Sequence, residues 1–395
     1  MLHRGLDATY PEEVRRRITL LTFARTSANG CFRFAPPFLA TIASGLGVSL
    51  DTIGIAVAVS ELSGLVSPVT GHFAERLHRR TAMAAGLTGV AAGVSLAAAS
   101  QHVVMFAAAL IVIAQSKVLF DLGLGAWISD RVAYERRGRA LGLTETSWAM
   151  GLLLGVSSMG IVTALTSWRV AYLAGAIAVL AMAATVTRTV ADDPAAGHEH
   201  ARAPRPAEGL RVPPAGWMLV VAALCLMSSS QMLFVTFGSW LQDHHGFSDA
   251  GVAALAFGLG AGELIASLSA ARFSDRWGKE RAGATGALLM VPAAALLAAG
   301  HATLGLGLPA LIVAIAAFEF AIVSVIPLGT QMVAGAPAFG MSVMLAAGTL
   351  GRALASIPAT RLYTREGMAW PALLCAALAA CCAVALRGVA VLRRR

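Results

Sequence analysis

Four ionisable side chains lie inside long apolar stretches of this sequence. Arg25 and Arg33 belong to the first stretch, and Lys117 and Asp121 belong to the fourth. A charged side chain at the centre of a membrane helix costs about 3 kcal/mol or more, so such residues persist where they face water or a partner charge. These four residues therefore predict ion pairing and ligand binding in a polar crevice.

The spacing of the polar residues predicts which of them meet. Arg25, Asn29 and Arg33 recur every four residues, which places them on one helical face over about 12 Å. Counted along the helices, Arg25 and Asp121 fall at a similar depth, roughly 10 to 13 Å from one end. We predict an Arg25–Asp121 pair first, and Lys117 with Asp121 is the competing pair.

Carboxyl groups in the apolar stretches are candidates for carrying protons. Five acids lie there: Glu61, Asp121, Glu145, Glu263 and Glu319. The apolar stretches hold only four cations, Arg25, Arg33, Lys117 and Arg352, so complete pairing would leave at least one carboxyl without a cation. A carboxyl removed from water holds a proton more readily than one in water. We rank Glu319 first, with Arg352 as its partner, followed by Glu263, Glu61 and Asp121. Alternatively, each acid packs against a neighbouring Ser or Thr.

The composition excludes a single soluble globular domain. Of 395 residues, 57% are hydrophobic and only 13% are charged, which favours a membrane protein. A membrane helix needs about 20 apolar residues, and the sequence divides into twelve such stretches. We predict an all-α membrane protein with helices near 18–46, 51–74, 81–100, 103–129, 140–165, 169–190, 215–241, 250–273, 282–300, 304–330, 338–360 and 368–391.

The basic residues predict the orientation of these helices. Most of the 30 Lys and Arg residues fall in segments that share one side, whereas the other side keeps only Arg169, Arg361 and Arg365. By the positive-inside rule, both termini are expected in the cytoplasm and the protein in the cell inner (plasma) membrane. We read the net charge of +9 as this topology signal, and we expect no nucleic-acid partner.

The chain is predicted to consist of two related halves. The polar, proline-rich stretch 191–214 reads as a cytoplasmic linker between a six-helix bundle at 1–190 and another at 215–395. Gly47-Val48-Ser49 precedes Glu75-Arg76 much as Gly246-Phe247-Ser248 precedes Asp275-Arg276. A parallel six-helix repeat predicts a substrate site at midplane between the bundles.

Two loops resemble a motif of the major facilitator superfamily. The segment 71–80, Gly-His-Phe-Ala-Glu-Arg-Leu-His-Arg-Arg, is similar to its G-x-x-x-D-R-x-G-R-R loop, with Glu75 for the aspartate and His78 for the glycine. The segment 272–279 repeats it with Asp275 and Gly278. The resemblance implies the family fold and transport by alternating access. We assign a gating latch to Gly71, Glu75, Arg76, Arg80, Asp275, Arg276 and Arg352; the alternative is plain positive-inside charge.

A second resemblance concerns the fifth apolar stretch. Gly142, Gly151, Gly155 and Gly160 keep the spacing of the antiporter motif of drug:proton exporters, with Val156 at the proline position. In those exporters the motif lets helix 5 pack closely on helix 8. The resemblance therefore implies an exporter of the drug:proton antiporter type; the alternative is ordinary close packing of small residues.

The predicted function is proton-coupled secondary transport. The buried cations favour a small amphipathic or anionic organic substrate, contacted by Arg25, Asn29, Arg33, Lys117, Gln231 and Phe234. We expect export by alternating access; symport uptake of an organic anion and a non-transporting sensor or partner subunit of the same fold are the alternatives.

Several functions have no local support in the sequence. It contains no phosphate loop, nucleotide fingerprint, metal-ligand spacing or nucleophile constellation. We therefore expect neither enzymatic activity nor a cofactor or metal. The expected partners are a small-molecule substrate, protons and the lipid bilayer, and the expected state is a monomer.

Overall fold

The computed structural model describes residues 6–7, 9–191, 211–333 and 337–393. Helices account for 89% of it, and no strand occurs in this described part, so the chain is an all-α protein. The helices are α1 (Glu12–Arg33), α2 (Leu39–Leu46), α3 (Leu50–Ser63), α4 (Ser67–Arg76), α5 (Arg79–Ala99), α6 (Val103–Arg131), α7 (Tyr134–Met150), α8 (Ser157–Leu165), α9 (Trp168–Thr189), α10 (Pro214–Phe234), α11 (Phe237–Ser239), α12 (Asp249–Trp277), α13 (Lys279–Gly300), α14 (Leu304–Gly329), α15 (Pro337–Glu366) and α16 (Ala369–Leu392).

Ten helical segments among the described residues are long and apolar enough to cross a membrane. They correspond to the third through twelfth predicted stretches. The first two, 18–46 and 51–74, are each divided into shorter helices, so the count of twelve membrane helices stays a prediction. Helix α1 begins with two acids and three arginines within its first six residues, and α2, α3 and α4 have only 8, 14 and 10 residues.

The interruptions have local causes. A 3₁₀ turn at Pro36–Phe38 separates α1 from α2, because two successive prolines lack the N–H groups that a continuing helix needs. A π-helical turn, Gly151–Val156, joins α7 to α8 and spans the position where the exporter motif has proline. Such a turn weakens the regular backbone ladder. The Ser157 hydroxyl donates a hydrogen bond to the Leu152 carbonyl at 3.1 Å, so this carbonyl of the π-helical turn has a partner.

The described helices cluster into two compact units. Unit 1 contains Met1–Ala35, Val66–Ala203 and Asp249–Gly260, and unit 2 contains Pro36–Leu65, Pro204–Ser248 and Ala261–Arg395. Most of the predicted linker, residues 192–210, lies outside the described residues. The division into bundles at 1–190 and 215–395 therefore stays a prediction.

Glycines allow the helices of unit 1 to approach one another closely. A Cβ added to Gly155 would lie 2.6 Å from the Gly30 Cα, and one added to Gly151 would lie 2.7 Å from the Asn29 Cβ. Two glycines of the exporter-like spacing thus pack against α1. Within α12, a Cβ on Gly260 would lie 2.6 Å from the Leu153 Cα. The close approach of α12 to the π-helical turn between α7 and α8 therefore depends on Gly260.

Unit 2 is built around α10, α13, α15 and α16, with α3 packed along α15. Gly54 faces Thr360 and Gly64 faces Thr349, so the two helices lie close together at two points along their length. The Ser228 hydroxyl of α10 donates to the Gly351 carbonyl of α15 at 2.9 Å. Short side chains thus set the spacing on both sides of α15.

Two glycines at corresponding positions of the predicted repeat share a backbone conformation. Gly47 and Gly246 both adopt φ of +66°, a left-handed conformation that glycine reaches without steric cost. In the two loop motifs the backbones differ: Gly278 has φ of +84°, whereas His78 is extended at φ of −56° and ψ of 143°. The left-handed turn of the second copy is therefore not formed in the first.

Candidate functional site

Arg25 occupies the centre of a charged cluster in unit 1. Its Nε donates to the Asp121 Oδ1 at 2.8 Å, which confirms the pair predicted from helical depth. Its Nη1 donates to the Thr144 carbonyl at 3.2 Å, which fixes the guanidinium against α7. Only 12% of the Arg25 side chain and 24% of the Asp121 side chain are exposed, so the pair is largely removed from solvent.

Lys117 joins the same carboxylate from one turn away on α6. Its Nζ lies 2.6 Å from the Asp121 Oδ2, so the competing pair predicted from sequence is present as well. The ammonium also lies 5.6 Å from the ring centre of Phe32 and 5.8 Å from that of Trp148, within the range of cation–π attraction. Asp121 is thus held by two cations on two helices.

Glu145 was not assigned to the site from sequence, yet it contacts Arg25 directly. The Glu145 Oε1 lies 2.7 Å from the Arg25 Nη1, and 57% of the Glu145 side chain is exposed. Thr144, Ser147 and Trp148 also contact the polar face of α1. Their three- and four-residue spacing in α7 is a helical-face signal that the sequence analysis did not use.

Asn29 and Arg33 extend the cluster along α1. The fully buried Asn29 donates through Nδ2 to the Ser147 Oγ at 3.1 Å. Arg33 donates through Nη1 to the Trp148 carbonyl at 2.8 Å, and its Cζ lies 4.5 Å from the centre of the Trp148 ring. The Trp148 ring is therefore in contact range of both Arg33 and Lys117. We call Arg25, Arg33, Lys117, Asp121 and Glu145 the charged cluster.

The two substrate-binding candidates in the second half belong to unit 2. The buried Gln231 donates through Nε2 to the Ser356 Oγ at 2.9 Å, which links α10 to α15. The Phe234 ring packs edge-on against Phe237 and Phe318 at 6.4 and 6.1 Å. Both residues make packing contacts within unit 2, and their role in binding a substrate stays a prediction.

The acids of unit 2 differ in their partners. Glu319 is 3% exposed and accepts a hydrogen bond from the Ser267 hydroxyl at 2.5 Å, while Glu263 is fully buried in α12. The Arg352 guanidinium pairs with Glu61, a contact that the sequence analysis did not predict, because it follows from the packing of α3 along α15. The contact between Glu319 and Arg352 stays a prediction.

The loop motifs are only partly described. The side chains of Glu75 and Asp275, the acids of the predicted latch, lie outside the described residues. Arg76 ends α4 and is exposed, as is Arg276, and Gly71 lies within α4. Arg80 reaches the Thr187 carbonyl at 3.5 Å. The latch therefore stays a prediction.

Within the described ranges 6–7, 9–191, 211–333 and 337–393, no group of three or more His, Cys, Asp or Glu residues is arranged to hold a metal ion. The charged cluster contains two carboxylates and three cations, and the cations can donate hydrogen bonds to an anionic ligand.

Comparison of the sequence with protein families gives one match. The profile described as Major Facilitator Superfamily matches residues 19–356. A search of curated proteins finds no match to this chain.

Solved structures with a similar fold are transporters. A bacterial homologue of the human lysosomal transporter Spinster, in an inward-facing and unoccupied conformation, aligns with a TM-score of 0.74 at 14% identity, over 96% of this chain and 94% of that chain. The inward-facing and occupied form of that homologue aligns with a TM-score of 0.68 at 14% identity, over 95% of this chain and 94% of that chain. The human organic anion transporter MFSD10 (TETRAN) aligns with a TM-score of 0.69 at 20% identity, over 95% of this chain and 100% of that chain.

Proposed function

Because the chain belongs to the Major Facilitator Superfamily, we propose that it is a secondary transporter that carries a small organic anion across a membrane by alternating access, coupled to protons. The family supports a membrane setting and a small-molecule substrate. The anionic substrate and the coupling to protons are proposals from the residues of this chain. We further propose that it works as a monomer in the plasma membrane with both termini in the cytoplasm, as the distribution of basic residues favours.

The observation that carries the proposal is the charged cluster of unit 1. Three cations, Arg25, Arg33 and Lys117, lie with two carboxylates, Asp121 and Glu145, in this cluster. Cations at membrane depth are costly, and an anion bound to them would lower the cost. The Phe32 and Trp148 rings beside Lys117 supply apolar surface for the rest of an amphipathic substrate.

One structural neighbour is described as a human organic anion transporter, the same substrate class. At 20% identity that likeness concerns the fold alone, so the substrate proposal depends on the cluster.

We propose that a deeply buried carboxyl of unit 2 carries the proton. Asp121 and Glu61, the other candidates, each form an ion pair with an arginine. Glu319, buried beside the Ser267 hydroxyl, is our first candidate for the proton carrier, and Glu263 is the second.

The direction of transport has two candidates, each with its own support. The exporter-like glycine spacing of 142, 151, 155 and 160 favours antiport and export. The contact between Arg25 and the exposed Glu145 favours symport and uptake, because an anion that displaces Glu145 from Arg25 would promote uptake of a proton by Glu145. A sensor of the same fold would bind the anion without moving it.

Transport of 2-naphthalenesulfonate into proteoliposomes tests the proposal, because this aromatic sulfonate stays ionised at every pH used. We expect accumulation when a pH gradient is imposed: an acidic lumen drives it for antiport and an alkaline lumen for symport. We expect Glu319→Gln to lose gradient-driven accumulation while it keeps exchange at equal pH, because a glutamine cannot carry the proton. If the protein binds the sulfonate but no flux occurs under either gradient, transport is excluded and the sensor function is supported.

A further inference from the structure

Arg25 holds two carboxylates that differ in how firmly they are retained. Asp121 is 24% exposed and lies between Arg25 and Lys117, with one carboxylate oxygen on each cation. Glu145 is 57% exposed and pairs with Arg25 through one oxygen at 2.7 Å. An exposed single ion pair contributes little stability compared with a desolvated carboxylate shared by two cations. Glu145 is therefore the partner that Arg25 can exchange.

An anionic ligand would compete with Glu145 for the same donor. The guanidinium binds carboxylate-like and sulfonate-like oxygens through its planar fork, and the Arg25 Nη1 is already used by Glu145. The contact of this nitrogen with the Thr144 carbonyl at 3.2 Å would keep Arg25 in place after Glu145 leaves. The Phe32 and Trp148 rings lie beside Lys117, which shares Asp121 with Arg25.

The displaced carboxylate would then lie next to a second negative charge. Glu145 pairs with Arg25, and the other members of the charged cluster are Arg33 from α1 and Lys117 and Asp121 from α6, of which Asp121 pairs with both Arg25 and Lys117. Uptake of one proton by Glu145 removes the repulsion between its carboxylate and the ligand. Ligand and proton thus favour each other's binding, which is a positive coupling between two sites.

We propose that Glu145 is an exchangeable carboxylate that gives up Arg25 to the anionic group of the substrate and takes up a proton as it does so. This inference rests on the anion transport proposed above and adds Glu145, beside Glu319, as a residue that links the proton to the substrate. One ion pair replaces another, and the only bond formed is the O–H bond of Glu145, whose proton comes from a hydronium ion in the water of the site. Because proton and anion occupy the cluster together, they cross together, which selects symport.

Equilibrium binding of 2-naphthalenesulfonate to the purified full chain tests this proposal, with affinity measured between about pH 8 and about pH 4.5. The sulfonate does not titrate, so a pH dependence belongs to the protein. We expect the wild type to bind more tightly as the pH falls, by up to about tenfold per pH unit for one linked proton. We expect Glu145→Gln to bind at every pH as the wild type does at acidic pH, because the amide mimics the protonated acid.

Two further variants separate the coupling from a structural effect. Glu145→Asp keeps a titratable group and is expected to keep the pH dependence. Glu13→Gln removes a matched acid in unit 1, since Glu13 is 41% exposed and lies 2.9 Å from the 12%-exposed Arg131, and it is expected to behave as the wild type. Thermal unfolding of each variant checks that it is folded.

The outcomes distinguish this proposal from the one on which it rests. If Glu145→Gln keeps the wild-type pH dependence, or if the wild type binds equally at all pH values, Glu145 is not the linked group and the anion site remains. If the wild type does not bind the sulfonate at any pH, the anion site itself is wrong and the Glu145 proposal is overturned with it.

Discussion

Replacing Arg25 by alanine is expected to weaken binding of 2-naphthalenesulfonate by at least about 30-fold, because removing one partner from a desolvated, hydrogen-bonded charge pair costs about 2–5 kcal/mol. The substitution removes the donor for the ligand and leaves Asp121 with Lys117 alone. Arg25→Lys keeps the charge but loses the planar fork, so we expect an intermediate affinity. Equilibrium dialysis with the purified variants measures both.

Arg131→Ala is the matched control for this substitution. Arg131 has the same 12% exposure as Arg25, pairs with Glu13 at 2.9 Å and lies over the Trp127 ring at 4.6 Å. Glu13 precedes Arg25 by about 18 Å along α1, so this pair is remote from the cluster. We expect a comparable loss of thermal stability and unchanged affinity. A folded Arg25→Ala protein with wild-type affinity would contradict the role of Arg25.

Replacing Arg352 by methionine is expected to lower the free energy of unfolding by about 3–5 kcal/mol, because it leaves the Glu61 carboxylate unpaired at a site that is largely out of water. The two side chains are 15% and 12% exposed and join α15 to α3 within unit 2. Replacing both residues, as Glu61→Leu with Arg352→Met, is expected to recover most of the loss, since a buried ion pair is often no more stabilising than apolar residues of similar size.

The double-mutant cycle measures this coupling by unfolding in mixed micelles. Arg393→Met and Glu280→Gln form the comparison cycle in the same unit, because that pair lies at 2.8 Å but is 26% and 21% exposed. We expect a coupling below about 1 kcal/mol there. A coupling at Glu61 and Arg352 no larger than this would show that their pair contributes little to the packing of α3 on α15.

The parts of the structure that the sequence predicted depend on local periodicity. Helical depth placed Arg25 beside Asp121, and the i, i+4 rule placed Lys117 there too; both contacts are present. Apolar stretches of about 20 residues predicted the helices, because each needs only its own sequence to satisfy its backbone. The repeat predicted from Gly47 and Gly246 appears as the same left-handed backbone at both positions.

The parts that the sequence analysis missed depend on contacts between distant segments. The partner of Arg352 is set by how α3 and α15 pack, and Glu61 is far away in the sequence. The π-helical turn at Gly151–Val156 has no single diagnostic residue, because Val156 replaces the proline that would have marked a bend. Glu145 was counted among the acids in the apolar stretches but was not assigned to the site. Its contact with Arg25 depends on which face α7 turns toward α1, and a single sequence does not give that orientation.

The central claim is that the charged cluster of unit 1 binds an organic anion. The most direct test compares binding of two probes of equal shape to the wild-type chain: 2-naphthalenesulfonate and trimethyl(2-naphthyl)ammonium. Because the cluster offers three cations as partners for an anion, we expect the sulfonate to bind at least about tenfold more tightly than the ammonium, a difference of about 1.4 kcal/mol. Equal affinity, or a preference for the ammonium, would contradict the claim.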